Sequence, residues 1–265
     1  MRHSLRAAAL LLIGSSLSPA ARLSQPAQQA FETYITTFEA HRARQHASPG
    51  RSATPVPAPS AVQIEPVNGG SWEVTGGLVH HWRATAFVPN ASASELLALL
   101  RDSDHLARYY APRVVASRAL TGEGGRAAVA MRFKEQRVIT VVLDAEFEAE
   151  SGLTGGGRGY SISRSTHIWQ VDQPGTAEER RREEGADDGF LWHLNSYWGF
   201  EQKGEGLLME CEAVSLTRDI PAGLSWLIAP IVESLPRASL EFTMTATRNA
   251  LAASALTKHD EEAHR

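Results

Sequence analysis

The sequence predicts an α+β fold in which an antiparallel sheet of about seven strands curls around one long C-terminal helix. Apolar residues at alternate positions recur in block after block between residues 78 and 213, with glycine-rich turns between the blocks. Two helical segments interrupt this alternation, one after the first strand and one near the C-terminus. Seven strands make a sheet roughly 34 Å wide, whereas a helix is only about 10–12 Å across. The sheet must therefore curl to bury its apolar face, and a cavity remains wherever large side chains do not fill the space.

The N-terminus has the layout of a secretory signal peptide over residues 1–20. Arg2 and Arg6 precede an apolar run, and small residues Ser18 and Ala20 occupy the third-last and last positions before a predicted cleavage after Ala20. The apolar run is shorter than the 18 or so residues that a membrane-spanning helix needs. We therefore expect an exported chain, periplasmic or secreted, with no integral membrane segment after cleavage.

The segment from residue 21 to 46 has apolar residues at helical spacing and is predicted to be an amphipathic helix. Residues 47–70 follow as a proline-rich linker, with the main domain starting near Val62 or Ser71 and ending near residue 255. The remaining residues, 256–265, are predicted to be a disordered tail. A charged stretch after Val171 is expected to be a solvated hairpin loop.

The strand that contains GFLWHLNSYWGF, residues 189–200, carries the largest side chains. Alternation predicts that one row faces the C-terminal helix, namely Phe190, Trp192, Leu194, Trp198 and Phe200. The opposite row, which includes His193 and Tyr197, is expected to be the wetter one. In the strand GYSISRSTHIWQV, the two-residue period cannot decide whether Arg164 faces inward or faces water.

Two helical regions complete the order of elements. Residues 90–110 have a Ser/Asn capping signal followed by leucines, which predicts a pair of short helices. Pro236 is expected to open the long C-terminal helix, which presents Leu240, Met244 and Thr247 on one side.

This order resembles the helix-grip fold of the START-like or SRPBCC superfamily, in particular its polyketide cyclase-like and coenzyme Q-binding-like members. The resemblance rests on VHHWRATAFVPNASASELLALLRDSDHLARYYAP (79–112), on the strands from Val129 to Phe147, and on residues 210–251. It covers about residues 71–255 and lies in element order, because the superfamily has no universal catalytic motif. It implies a hydrophobic cavity between the sheet and the long helix. The residues expected to line it are Trp82, Met131, Phe133, Tyr160, Arg164, Trp192, Leu194, Trp198, Trp226, Leu240, Met244 and Thr247.

Several kinds of chemistry find little support in the sequence. The net charge of −4 gives no basic field for nucleic acid. His80 and His81 are adjacent in a strand and point to opposite faces, so they cannot share a metal ion, and we predict neither a metal nor another cofactor. Gly223 to Leu227 begins like a nucleophile elbow but lacks its closing glycine, and we assign no catalytic residue.

The leading hypothesis is an exported, non-enzymatic binding protein for an apolar small molecule or lipid. An enzyme of the cyclase or aromatase kind, with Tyr160, Arg164 and His193 as candidates for proton transfer, is the first alternative. A structural or interaction module is the second, because the tryptophans could simply fill the interior. Ligand identity and oligomeric state stay open at this point.

Overall fold

The computed structural model describes residues 21–47, 56–59, 61–136, 140–219 and 225–263, with only the backbone described at 21, 45–47, 225–233 and 256–263. The helices are α1 (Gln25–Ala47), α2 (Ala93–Arg101), α3 (Leu106–Tyr110) and α4 (Ser225–Ala263). The strands are β1 (Ala21–Arg22), β2 (Val62–Val74), β3 (Gly77–Pro89), β4 (Val114–Glu123), β5 (Arg126–Gln136), β6 (Thr140–Gly155), β7 (Arg158–Asp172), β8 (Arg180–Arg181), β9 (Ala186–Asp187), β10 (His193–Lys203) and β11 (Gly206–Thr217). The predicted signal peptide and most of the predicted linker lie outside the described residues.

The main sheet is antiparallel, and eight of its strands follow the order β2-β3-β11-β10-β7-β6-β5-β4. The short strand β8 pairs with β7 and brings the count to nine, against about seven predicted. Part of the difference is β2, because residues 62–70, predicted as linker, form its first half. A register shift between Pro66 and Ser71 interrupts the alternation of β2, which explains why its sequence does not read as a strand.

Gly70 shows why this irregular strand can pack closely. It has a φ of +85°, and a Cβ there would lie 2.6 Å from the Trp82 ring. Only glycine accommodates both the backbone conformation and this approach. The irregular segment of β2 thereby packs against the indole of Trp82 in β3.

The two short helices are confirmed. Ser92 is the N-cap of α2, and its hydroxyl accepts from the Glu95 amide at 3.3 Å while the Glu95 carboxylate accepts from the Ser92 amide at 2.7 Å. This reciprocal capping box is the signal that the sequence carries. Leu96, Leu97 and Leu99 are buried in the main core.

The C-terminal helix is longer than predicted at both ends. It starts at Ser225, so Pro236 lies inside α4 and does not open it. Pro236 has no amide hydrogen, which removes one intrahelical hydrogen bond without ending the helix. The segment from 256, predicted as a disordered tail, is helical to Ala263. Leu240, Met244, Thr247 and Leu251 are buried, as their spacing predicts.

Helix α1 covers the side of the sheet opposite α4. Phe31 packs there with Val79, Trp192, Tyr197 and Leu216. Tyr197, predicted to lie in a wet outer row, is 0% exposed. That prediction is wrong because alternation only separates two faces of a strand, and it cannot tell that a second helix covers the outer one.

The opening of β10 also differs from its prediction. The strand begins at His193, so the alternation expected from residue 190 does not extend to its first residues. Phe190 is 38% exposed, and Trp192 packs on the α1 side. Trp198 and Phe200 do belong to the core that contains Leu240 and Met244.

Candidate functional site

Residues directly opposite one another on neighbouring strands share a face of the sheet, so the register identifies what each face carries. We call the two faces the α4 face and the α1 face. Ala84, Cys211 and Trp198 are successive partners on the α4 face. His81 on β3 lies on the α1 face, opposite Val214 of β11, beside Tyr34 of α1.

One part of the α4 face is tightly packed. Trp198 and Phe200 form a single buried cluster with Leu240 and Met244 of α4. Thr247 belongs to the same region, where its hydroxyl lies 2.9 Å from the Tyr110 hydroxyl. Trp198 therefore packs with α4, and side chains fill this part of the face.

The next row across the same face is different. Its members are direct partners from β3 to β6, namely Trp82, Ala213, Ser196, Ser163 and Ala149. Each of the five is partly exposed, and four of them have a side chain no larger than serine. We call this row the trough. It lies beside the buried row of Ala84, Cys211, Trp198 and Ser161, so burial falls off abruptly between one row and the next.

Leu194 is the apolar side chain that borders the trough on β10. It is partly exposed and lies one step along the strand from Ser196 on the same face. Met131 and Phe133 of β5 are also partly buried and, with Leu194, pack against Phe147 and Ile168, but they lie further along the face, because the row of the trough meets β5 at Ala127. The predicted lining residues on the α4 side are therefore divided between two regions. Trp82, Met131, Phe133 and Leu194 are partly exposed, whereas Trp198, Leu240, Met244 and Thr247 are buried in the packed part of the face.

Three predicted lining residues lie on the other side of the sheet. Arg164 is on the α1 face, where its Nε donates to Glu39 of α1 at 2.7 Å. Tyr160 shares this face by strand parity, and Trp192 packs with α1. The predicted lining is wrong for these three because the choice of face depends on where α1 docks. Trp226 is in α4, but its side chain lies outside the described residues.

The α1 face is held by buried charges. The Glu212 carboxylate accepts from Arg42 of α1 at 2.6 Å, from Arg83 at 3.0 Å and faces His81 Nε2 at 3.1 Å. These donors offset the effect of burial and lower the pKa of Glu212 to about 2. Glu39 also accepts from the Tyr197 hydroxyl at 2.7 Å. Both carboxylate oxygens of Glu212 have partners inside the protein, and the network joins α1 to the sheet.

Histidines do not assemble into a reactive group at the trough. His80 lies on the α4 face but is 0% exposed, between the Ser71 and Thr217 hydroxyls at 2.7 and 3.0 Å. Burial lowers its pKa to about 4, so it is neutral at ordinary pH. His193 stacks on Phe31 of α1, at 5.0 Å between ring centroids, on the face opposite the trough.

Within the described ranges, no group of three or more His, Cys, Asp or Glu side chains is arranged to hold a metal ion. None of the described helices combines the length and apolar character needed to cross a membrane.

Residues 161, 163, 196, 213 and 149 of the α4 face were not among the predicted lining residues. The alternation of β7 contained the signal, because Ser161, Ser163 and Ser165 share one parity and Arg164 the other. The predicted lining was composed mainly of large side chains, whereas small side chains define the trough.

No protein-family model and no curated protein matches the sequence. Solved structures with a similar fold include a STAR-related lipid transfer protein from Xanthomonas axonopodis, with 17% identity, a TM-score of 0.44 and coverage of 72% of this chain and 98% of that one. The Zhui aromatase/cyclase from a Streptomyces species has 15% identity, a TM-score of 0.44 and coverage of 67% and 93%. Human STARD10 has 11% identity, a TM-score of 0.48 and coverage of 92% and 87%. At these values the likeness is one of overall architecture, and these names carry neither a family nor a function over to this chain.

Proposed function

We propose that this protein is an exported binding protein that holds an apolar small molecule or lipid in the trough, between the sheet and α4. The observation that carries the proposal is the trough itself. Beside the packed row of Ala84, Cys211 and Trp198, one row of the α4 face has only small side chains apart from Trp82, and every member of the row retains accessible surface. Ligand sites are concave and mostly apolar, with a few polar groups that orient the ligand.

The packed core beside the trough supports a role in binding. Trp198, Phe200, Leu240 and Met244 fix one end of α4 against the sheet, so the trough's floor is rigid on that side. A preformed floor lowers the entropic cost of binding. Nothing in this arrangement requires a covalent step, and the three residues considered for proton transfer do not meet at the trough.

Export is the second part of the proposal, and it rests on the layout of residues 1–20. Ala21, the first residue after the predicted cleavage, pairs with Asp187 in the small β1–β9 sheet. A cut after Ala20 would therefore leave the described residues from Ala21 onward intact. Mass spectrometry of protein recovered from outside the cytoplasm should give an N-terminus at Ala21, and a full-length chain retained in the cytoplasm would contradict export.

Binding can be tested by titrating Nile red, a neutral dye that fluoresces in apolar sites. We expect saturable binding to the wild type and a loss of affinity of about tenfold or more in Ser196→Phe, because the added ring occupies the trough. Ser163→Val, a smaller change in the same row, should weaken binding while leaving the circular dichroism spectrum unchanged.

The matched control is Ala119→Phe, which adds a large ring at an exposed position of the edge strand β4. It should bind the dye as the wild type does. Dye binding that survives both trough variants would place the ligand elsewhere and overturn the proposal, as would a wild type that binds no dye.

A further inference from the structure

Hydroxyl groups without partners line the centre of the α4 face. Ser163 and Ser196 are direct cross-strand partners in the trough, and Ser161 and Ser215 lie one step from that row. Within the described part of the chain, none of these four hydroxyls makes a hydrogen bond, whereas the neighbouring Ser165 accepts one from the Leu194 amide at 3.0 Å. Four unused donors and acceptors are thus concentrated on one small area.

Two of these serines are deeply buried. Ser161 is 7% exposed and Ser215 is 6% exposed. Buried polar groups in proteins are nearly always hydrogen-bonded, because leaving one unpaired costs about 1–3 kcal/mol. Their oxygens are not among the fully enclosed polar atoms that lack a partner, which among the described residues are Trp82 Nε1, Arg83 Nε, His193 Nε2 and Arg218 Nε. Both hydroxyls therefore retain some accessible surface, through which water or a bound molecule can satisfy them.

The same area carries no charge. On β3, β11, β10 and residues 159–165 of β7, every ionised side chain lies on the α1 face, including Arg83, Arg164 and Glu212. The titratable groups on the α4 face of these strands are His80 and Cys211, and both are neutral, because burial lowers the pKa of His80 and raises the pKa of the Cys211 thiol. Residues 220–232, which lead into and begin α4, also contain no charged residue in the sequence.

One described cation lies close to this area. Arg101 of α2 is exposed, and its Nη2 donates to the Ser151 carbonyl at 2.7 Å while its Nε donates to the Ser151 hydroxyl at 2.9 Å. Ser151 is the cross-strand partner of Ser161, so this guanidinium is already engaged one row away from Ser163 and Ser196. An anionic group between Ser163 and Ser196 would therefore be desolvated with no charged side chain of these strands beside it, at a cost of several kcal/mol.

We infer that the trough selects a neutral, oxygen-bearing ligand, one whose hydroxyl or carbonyl groups meet the serine hydroxyls, and that it rejects the carboxylate or phosphate form of the same apolar skeleton. This inference rests on the proposed binding function and specifies its ligand class. Serine hydroxyls both donate and accept, so either an alcohol or a ketone satisfies them.

Three pyrene-labelled probes with the same chain test it: dodecanol, dodecanoic acid and dodecane. Titrations at about pH 7.5 keep the acid ionised. We expect the alcohol to bind roughly tenfold more tightly than the carboxylate, because only the carboxylate loses its hydration without a counter-ion. In the double variant Ser163→Ala/Ser196→Ala, affinity for the alcohol should fall by roughly fivefold to tenfold, while affinity for the hydrocarbon stays within about twofold.

Ser254→Ala is the control, since Ser254 is exposed on α4 and bonds only to the Ala250 carbonyl of its own helix, at 3.1 Å. It should change the binding of none of the probes. The inference is overturned if the carboxylate binds as well as the alcohol, or if affinity for the alcohol is unchanged in the double variant. In either case the proposed function stands if the hydrocarbon still binds. If no probe and no Nile red binds, both are overturned.

Discussion

Glu212 is the residue whose replacement should cost most on the α1 face. Its carboxylate is 4% exposed and pairs with Arg42, whose side chain is 9% exposed. Glu212→Gln leaves this guanidinium buried without a counter-charge, and we expect the free energy of unfolding to fall by about 3 kcal/mol. Urea denaturation followed by circular dichroism measures the change.

Glu65→Gln provides the matched comparison. Glu65 also pairs with Arg83, but its side chain is 61% exposed. Water replaces an exposed partner readily, so this change should cost less than about 1 kcal/mol. Equal losses in the two variants would contradict the assignment of Glu212 as the buried anchor.

The burial of single residues could be predicted from the sequence where the element has only one apolar side. Leu240 and Met244 were found because a helical stripe has one buried side, and Trp198 because its neighbours are large and apolar. Arg164 and Tyr160 could not be assigned to a face of the sheet, because the two-residue period of a strand does not distinguish its two faces. Only the position of a covering element such as α1 does. The ion pair between Arg164 and Glu39 joins residues 125 positions apart, which no local pattern encodes.

At the scale of elements, α1 should act as an integral layer of the fold. Phe31 is 4% exposed and stacks on His193. Phe31→Ala removes a ring from a close-packed layer, so we expect a loss of about 3 kcal/mol in unfolding free energy. Hydrogen exchange should also accelerate throughout α1, and a variant in which α1 stays fully protected would show that the helix does not depend on this contact.

Thr36→Ala tests the opposite side of the same helix. Thr36 is exposed, and its hydroxyl bonds only to the Glu32 carbonyl at 2.9 Å. A surface change of this kind is expected to alter stability by less than about 0.5 kcal/mol. Thermal unfolding of both variants separates a packed face from a solvated one.

The elements themselves were more predictable than their docking. Ser92 and Glu95 encode the start of α2 through local hydrogen bonds, and the glycine turns encode the hairpins. By contrast, β2 escaped prediction because Asn68, Gly69 and Gly70 adopt positive φ and interrupt its alternation. The place of α1 also escaped, since an amphipathic stripe indicates that a helix is covered but not by what.

For the whole molecule, stability should fall as the pH falls below about 6.5. The pKa of His80 is lowered to about 4 in the folded protein, so between these values the unfolded chain takes up a proton that the folded chain does not. The Glu212 pKa of about 2 adds a second loss, in which stability present above about pH 4.5 disappears toward pH 2.

Urea midpoints measured from about pH 7 to pH 4 check the first of these windows. They should decrease steadily in the wild type and more shallowly in His80→Gln, which lacks the titrating ring. A midpoint that is flat over this range, or that rises as the pH falls, would contradict the buried neutral state of His80.

The molecule as a whole is a sheet held between two helices, with a packed core at one end of α4 and a row of small residues beside it. The contacts that anchor α1 and the proposed binding site thereby lie on opposite faces of the sheet. Glu212 and Arg164 form ion pairs with α1, while their sequence neighbours Ala213 and Ser163 belong to the trough on the other face. We expect that bound ligand stabilises the fold in proportion to its occupancy.

The central claim is that the trough holds a ligand, and native mass spectrometry of protein purified from its own host tests it most directly. The wild type should carry an apolar adduct that solvent extraction removes, and Ser196→Phe purified in the same way should carry none. A bare wild-type chain, or an adduct that persists in Ser196→Phe, would contradict the account.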